Sequence, residues 1–315
     1  MKAIINRKYG SPDQLELREV ERPDHKANEV LVKVLAASIN KADWHILNGK
    51  PFPVRLMAGL FKPRMNILGA DIAGVVERVG GGVTQFRPGH EVFGDLSATG
   101  FGGFAEYVVT DEQRLSRKPS NLSYEATAAL PMGAITALQG LRDKGKIQAG
   151  QQVLINGASG GVGGFALQIA KAFDAEVTAV CSSSKVDLAR QQDADQVIDY
   201  TLQDFTKLDR QYDLIFDIIG NHPLSAIGRV LKPSGRYVSC AFSLGAALRG
   251  TSKSGKKFIN LLASANQADL QFICKLAEEG KLQPQIQQTF TLDDVPEALA
   301  LMGRGSLAGK LVVSI

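Results

Sequence analysis

Cysteine is scarce. The chain has Cys181, Cys240 and Cys274 in 315 residues, far apart and without ligand-type spacing. That argues against a disulfide scaffold and fits a reducing cytoplasm. Long apolar runs are also missing, so no segment approaches the length needed to span a membrane. Residues 1–7 are too polar for a signal peptide. Charge of one sign is scarce too: 36 Lys and Arg against 32 Asp and Glu leave a net +4. So slight and scattered an excess gives no argument for a nucleic-acid partner. What the chain has in quantity is glycine, 32 residues beside an ordinary 12 prolines, which indicates tight turns. A composition of 44% hydrophobic and 22% charged residues suits a globular protein, and the length allows two domains with a large core.

The most informative stretch runs from Val153 to Lys171. An apolar run ends in Gly157-Ala158-Ser159-Gly160-Gly161-Val162-Gly163, and an amphipathic run, residues 165–171, follows at once. This is a strand, a glycine turn and a helix, with a second strand expected at residues 176–181. The helix N-terminus offers free N–H groups and a favourable dipole to a pyrophosphate. Small residues let the phosphates approach the backbone. The spacing Ala158-x-Gly160-x-x-Gly163 therefore predicts a dinucleotide site at Ser159, Gly160, Gly161 and Val162.

The tip of the second strand lacks an acid. NAD sites usually carry Asp or Glu there for the ribose 2′-hydroxyl. This chain has Ser182, Ser183, Ser184 and Lys185. Hydroxyls and an ammonium suit a 2′-phosphate, so Ser182, Ser183 and Lys185 point to NADPH. The alternative is a serine cap on the next helix with a solvated lysine.

Residues 1 to about 120 are strand-rich with frequent glycine turns, which predicts a compact, β-barrel-like domain. From about 121 helices and strands alternate. Strands are expected at 176–181, 196–200, 212–218 and 235–240, and helices near 124–130, 135–144 and 268–279. Apolar strands joined by helical crossovers predict an α/β doubly wound parallel sheet. The last strand, 311–315, is expected to return to the first domain. The expected division is 1–122 plus 281–315 for one domain and 123–280 for the other, with the active site in the cleft between them.

Five motifs in order resemble the medium-chain dehydrogenase/reductase superfamily, in its zinc-free quinone oxidoreductase branch. They are Ile39-Asn40-Lys41-Ala42-Asp43-Trp44, Gly69-Ala70-Asp71-Ile72-Ala73-Gly74, residues 130–137, the glycine turn, and Gly309-Lys310. The resemblance covers nearly the whole chain. It implies a Rossmann domain inserted in a GroES-like domain, and a homodimer pairing through the strand near 236–240. Zinc-dependent relatives place a cysteine where Asn40 stands and Gly-His-Glu where Gly69-Ala70-Asp71 stands, so no metal is expected. Hydride transfer from NADPH to a small hydrophobic quinone or α,β-unsaturated carbonyl is the implied chemistry. The alternative is an NADPH-binding protein with little turnover, in a structural, regulatory or RNA-binding role.

The resemblance also implies residue roles. Asn40 and Asp43 lie near nicotinamide and substrate, or Asp43 is a buried hydrogen-bonding post. Trp44 floors the substrate site or simply packs, and His45 corresponds to a proton-relay histidine of some zinc-dependent relatives. Lys41 and Lys310 reach cofactor phosphates. Thr136 lies beside the nicotinamide and Tyr200 against the 2′-phosphate. Ile219, Gly220, Ala241 and Phe242 line the nicotinamide ribose and carboxamide. The apolar segment 51–61 borders the substrate cleft, as a flap or as a packed loop.

Overall fold

A computed structural model of the chain describes residues 1–241, 250 and 254–315. They form two compact units. One comprises Met1–Met132, Ala265–Gly280 and Ile286–Ile315, and the other Gly133–Ser264 with Lys281–Gln285.

In the first unit β1 (Lys2–Ile5) and β2 (Glu16–Glu19) form an antiparallel pair. The main sheet contains β3 (Glu29–Ile39), β4 (Asp71–Val79), β5 (Glu91–Asp95), β6 (Tyr107–Asp111) and β7 (Leu115–Arg117). The distant segments β14 (Ile286–Thr291) and β15 (Lys310–Ser314) complete it. Its order is β14-β15-β3-β4-β5-β7, with β6 also on β3. As expected, the last strand returns here: β15 pairs antiparallel with β3, bringing Leu311 opposite Ile39. Apolar residues of these strands bury against the helices Lys41–Asn48 and Val295–Arg304, around Ile39, Leu47, Leu68, Phe104, Val295 and Leu311. That core seats the first helix, and with it Asn40 and Asp43.

The second unit is a six-stranded parallel sheet. Its strands are β8 (Gln152–Asn156), β9 (Glu176–Cys181), β10 (Gln196–Asp199), β11 (Tyr212–Asp217), β12 (Leu231–Ser239) and β13 (Lys257–Asn260). The order β10-β9-β8-β11-β12-β13 is doubly wound, with the reversal between β8 and β11. Ligands of such sheets bind beyond the carboxyl ends of the strands at that reversal.

The structure corrects several expectations. Residues 123–132 and 265–280 belong to the first unit rather than to the sheet unit. The helix Gln267–Glu278 is held there by the Gln267 amide, which donates to the carbonyls of Leu115 (3.0 Å) and Glu112 (3.4 Å). The strand near 236–240 is no edge: β13 pairs with it in parallel, from Arg236 opposite Lys257 to Ser239 opposite Asn260. The helix expected at 135–144 starts earlier, as Pro131–Leu138, and continues as a π-helical turn to Lys144. Proline at a first helical position is compatible with that start. Among the described residues no helix is long and apolar enough to cross a membrane.

Candidate active site

In the sheet unit β8 runs into Gly157, whose φ of 89° needs a glycine. The N–H groups of Gly157 and Ala158 both donate to the Val180 carbonyl at 3.1 Å, tying the turn to β9. The helix Gly163–Ala172 begins directly after it. A β-carbon on Gly163 would stand 2.0 Å from the Gly157 carbonyl, so glycine is what lets helix and turn pack this closely. At Gly160 the nearest atom to such a carbon is 3.6 Å away, leaving the outer side of the turn open. Ser159 is buried, while Gly160, Gly161 and Val162 are half-buried. The turn thus has the shape and the free helix end that a pyrophosphate requires.

Across the strand reversal, Asp217 at the end of β11 is fully buried. One carboxylate oxygen accepts from the N–H groups of Ile219 (3.0 Å) and Gly220 (2.8 Å) and from the Asn156 amide (2.9 Å). The other accepts from the Tyr237 hydroxyl at 2.9 Å. Asp217 therefore ties the β11 tip to β8 and shapes the loop carrying Ile219 and Gly220. Ile219 is exposed beyond that tip. Ala241 follows β12, its N–H donating to Ser239 Oγ at 3.2 Å. Thr136 lies half-buried in the helix Pro131–Leu138. Phe242 lies outside the described residues.

At the β9 tip Ser182 Oγ lies 3.3 Å from Ser184 Oγ. The Tyr200 N–H donates to the Cys181 carbonyl, which sets the exposed Tyr200 beside Ser182 in the chain's path. Ser183 Oγ donates to the Asp199 carboxylate and lies 2.9 Å from Thr201 Oγ1. These hydroxyls hold Asp199 below the usual carboxylate range. Lys185 is half-buried, and burial lowers its pKa.

In the first unit Asn40 opens the helix Lys41–Asn48 with extended backbone, φ −123°. Its backbone N–H donates to Asp43 at 2.8 Å, and the second Asp43 oxygen accepts from the Gly69 N–H at 2.9 Å. Asp43 is sealed from water, and burial pushes it up to about 7. Its two oxygens join the helix start to the strand-entry loop at Gly69, the contacts a buried hydrogen-bonding post would make. The Asn40 side-chain N–H₂ donates to Asp71 at 2.9 Å, and its oxygen accepts from the Lys310 ammonium at 2.6 Å. Asp71 also accepts from Ser38 Oγ (3.0 Å) and from the Met132 N–H (3.1 Å). Burial raises Asp71 to about 6, while the Lys310 charge opposes that rise.

Lys310 therefore departs from its expected place among the phosphates. Only 4% exposed, it is enclosed by Asn40 and Asp71. Burial lowers its pKa, against the pull of Asp71, Asp43 and Asp95. An ammonium leaving β15 inside the core meets these carboxylates before it meets solvent. Trp44 packs on the helix Val295–Arg304, where Gly303 leaves it room: a β-carbon there would come within 2.5 Å of the indole. Lys41 is exposed at the helix start. His45 Nδ1 lies 2.8 Å from the Lys50 carbonyl, and burial lowers its pKa.

Comparison with known proteins decides the family. Residues 26–120 match the alcohol dehydrogenase GroES-like domain, and residues 192–313 match the zinc-binding dehydrogenase family. The 2-methylene-furan-3-one reductase of Solanum lycopersicum is 33% identical, over 99% of this chain and 79% of its own. The chloroplast envelope quinone oxidoreductase homolog of Arabidopsis thaliana is 32% identical, over 99% and 98%. A quinone oxidoreductase structure from Coxiella burnetii has a TM-score of 0.89 at 30% identity, over 100% of this chain and 99% of its own. The chain belongs to the medium-chain dehydrogenase/reductase superfamily.

Within this superfamily the first unit carries the GroES-like domain and the second the Rossmann sheet. Asn40 stands where zinc-dependent members are expected to carry a cysteine ligand, and Ala70-Asp71 stands where they carry His-Glu; the Lys310 ammonium lies against Asn40 and Asp71. Sequence reasoning missed Asp217, Asn156 and Asp199. A polar residue ending an otherwise apolar strand was the available signal for all three.

Proposed function

We propose that the chain is a zinc-independent oxidoreductase that delivers hydride from NADPH to a quinone or an α,β-unsaturated carbonyl. One observation carries this reading: a buried ammonium, Lys310, lies against Asn40, which stands at the cysteine-ligand position of zinc-dependent relatives, and against Asp71, next to the Ala70 that replaces their histidine. A dication there would face a fixed positive charge, and the Asn40 oxygen is already engaged. Without a metal to acidify a substrate hydroxyl, the acceptor must be activated by its own conjugation. The names of the tomato, Arabidopsis and Coxiella relatives support the same acceptor class.

Ser159, Gly160, Gly161 and Val162 would hold the pyrophosphate of NADPH, and Ser182, Ser183, Lys185 and Tyr200 its 2′-phosphate. Thr136, Ile219, Gly220 and Ala241 would orient the nicotinamide end. Bound NADPH supplies the hydride. Asn40 is the residue proposed nearest the acceptor, with Asp43 and Lys310 as positioning residues and Lys41 as a further phosphate contact. The free cysteines suit a reducing, cytoplasmic setting, and a homodimer is part of the reading.

The test is steady NADPH consumption with a panel of quinones and alkenals, alongside metal analysis of the purified protein. Turnover by metal-free protein supports the reading. Turnover that requires zinc, or tight NADPH binding with no consumption across the panel, refutes it. Lys185→Ala should raise the KM for NADPH far more than that for NADH.

A further inference from the structure

Between Asp43 and Asp71 the chain contains no acidic residue, yet it carries Lys50, Arg55, Lys62 and Arg64. The same stretch exposes Phe52 (63%), Leu56 (65%), Met57 (80%), Leu60 (45%) and Phe61 (89%). Half of the large exposed apolar side chains among the described residues lie here, within one short segment. Scattered apolar side chains need no explanation, but a contiguous group with a polar rim marks an interaction surface.

The base of the segment is fixed. Ala58 is 1% exposed and packs in the core with Val54. The Arg55 guanidinium stacks over the Tyr9 ring at 4.7 Å, and its Nε donates to the Gly49 carbonyl at 3.2 Å. The Tyr9 hydroxyl donates to the Gly59 carbonyl. The Arg64 N–H donates to the Ala58 carbonyl at 2.7 Å. One side of the segment is therefore pinned to the unit while its apolar tips stand in water. Lys50, Lys62 and Arg64 are exposed beside those tips.

We propose that residues 50–64 form a docking surface for an anionic lipid bilayer. Apolar tips enter the boundary between headgroups and acyl chains, and the flanking cations meet the anionic headgroups. The charge pattern selects this occupant. A twofold contact centred on this segment would bring the same cations against each other, with no acid in either segment to offset them. An anionic lipid surface complements both the charge and the apolar tips at once. The proposal rests on exposure and charge at this segment, and vesicle flotation reads it without cofactor or acceptor present.

The test is flotation of the full chain with vesicles of phosphatidylcholine alone and of phosphatidylcholine with phosphatidylserine. The wild type should float with the anionic vesicles and be released by salt. Lys62→Gln with Arg64→Gln should weaken that binding roughly thirtyfold, two headgroup-facing charges having been removed. Met57→Ser with Phe61→Ser should reduce it by a factor of about ten or more, because less apolar area enters the boundary. Both pairs should leave the thermal midpoint unchanged. If one shifts it, Phe52→Ser with Leu56→Ser tests the same apolar surface. Absence of flotation, or flotation that none of these variants weakens, overturns the proposal. So does a dimer in sedimentation velocity that the apolar variants dissociate, or capture of an acidic protein by the segment in place of vesicles.

Discussion

The Lys310 ammonium lies 2.6 Å from the side-chain oxygen of Asn40, across 270 positions of sequence, with both residues closed off from solvent. The opposite end of the same amide donates to Asp71 at 2.9 Å. An amide with a cation at its oxygen and a carboxylate at its nitrogen can point only one way. Asn40 is thus oriented by β15 and β4, which flank the strand that leads into it.

Lys310→Met should test how much that arrangement supports the fold. Methionine keeps much of the aliphatic volume but leaves Asp71 with no compensating charge. Breaking a buried pair from one side costs about 3–5 kcal/mol. We expect a loss of that order in urea denaturation, partly recovered when Asp71→Asn is added. A loss below about 1 kcal/mol would show that the ammonium is not what makes Asp71 tolerable.

The buried acids set a pH dependence with a definite sign. Burial raises Asp43 to about 7 and Asp71 to about 6. A raised acid holds its proton more tightly in the folded chain than in the unfolded one. The stability it contributes is full below the unfolded value, near 4, and is lost as pH rises through the folded value. Asp195, Asp199 and Asp204 are lowered, so their contributions fade only at pH below about 4. Between pH 5 and 8 Asp43 and Asp71 act together with Asp95, also raised by burial, and against the lowered His45 and His90, which favour the folded chain as pH rises. The three acids should dominate, and unfolding free energy should fall by about 2–4 kcal/mol. Asp43→Asn should flatten the larger part of that slope. A wild-type profile that is level over this range would contradict the account.

The glycine turn and the strand tips were legible because their signals are local. Residues 153–171 contain strand, turn and helix start in sequence order, and the structure keeps that order from β8 into the helix Gly163–Ala172. What was hidden depends on long-range pairing. Nothing near Lys310 indicates that β15 will lie against β3 and carry its ammonium to Asn40. Residues 257–260 have too few apolar neighbours to announce β13, yet their pairing removes β12 from the edge. The expected domain boundary failed for a similar reason. Residues 265–280 have the amphipathic pattern of a sheet-covering helix, but the partner that Gln267 meets is β7 of the first unit, to which the helix itself belongs.

The two turn glycines should respond differently to alanine. Gly163 has no room for a β-carbon, which would stand 2.0 Å from the Gly157 carbonyl. Gly163→Ala should therefore shift the turn and cost about 1–3 kcal/mol of stability as well as cofactor binding. Gly160 has 3.6 Å of clearance in the protein itself. Gly160→Ala should fold normally, with an unchanged thermal midpoint, while dinucleotide binding weakens because the methyl group stands where phosphate must approach. Calorimetry and fluorescence titration on the two variants separate these outcomes. Equal loss of stability in both would mean that Gly160 also serves packing.

Asp199 gives the cofactor preference its sharpest test. Its carboxylate accepts the Ser183 hydroxyl at the tip where a 2′-phosphate is proposed to bind, and Thr201 holds it ionised from the other side. A phosphate near Ser183 would meet that negative charge, whereas a ribose 2′-hydroxyl could donate to it. Asp199 therefore opposes the preference that Lys185 favours. Asp199→Asn should lower the KM for NADPH several-fold and leave that for NADH unchanged or higher. Lys185→Ala should do the reverse, and the double variant should fall between them. If Asp199→Asn instead leaves the ratio of the two KM values unchanged, the 2′-phosphate does not bind beside Ser183, and the assignment of that tip fails.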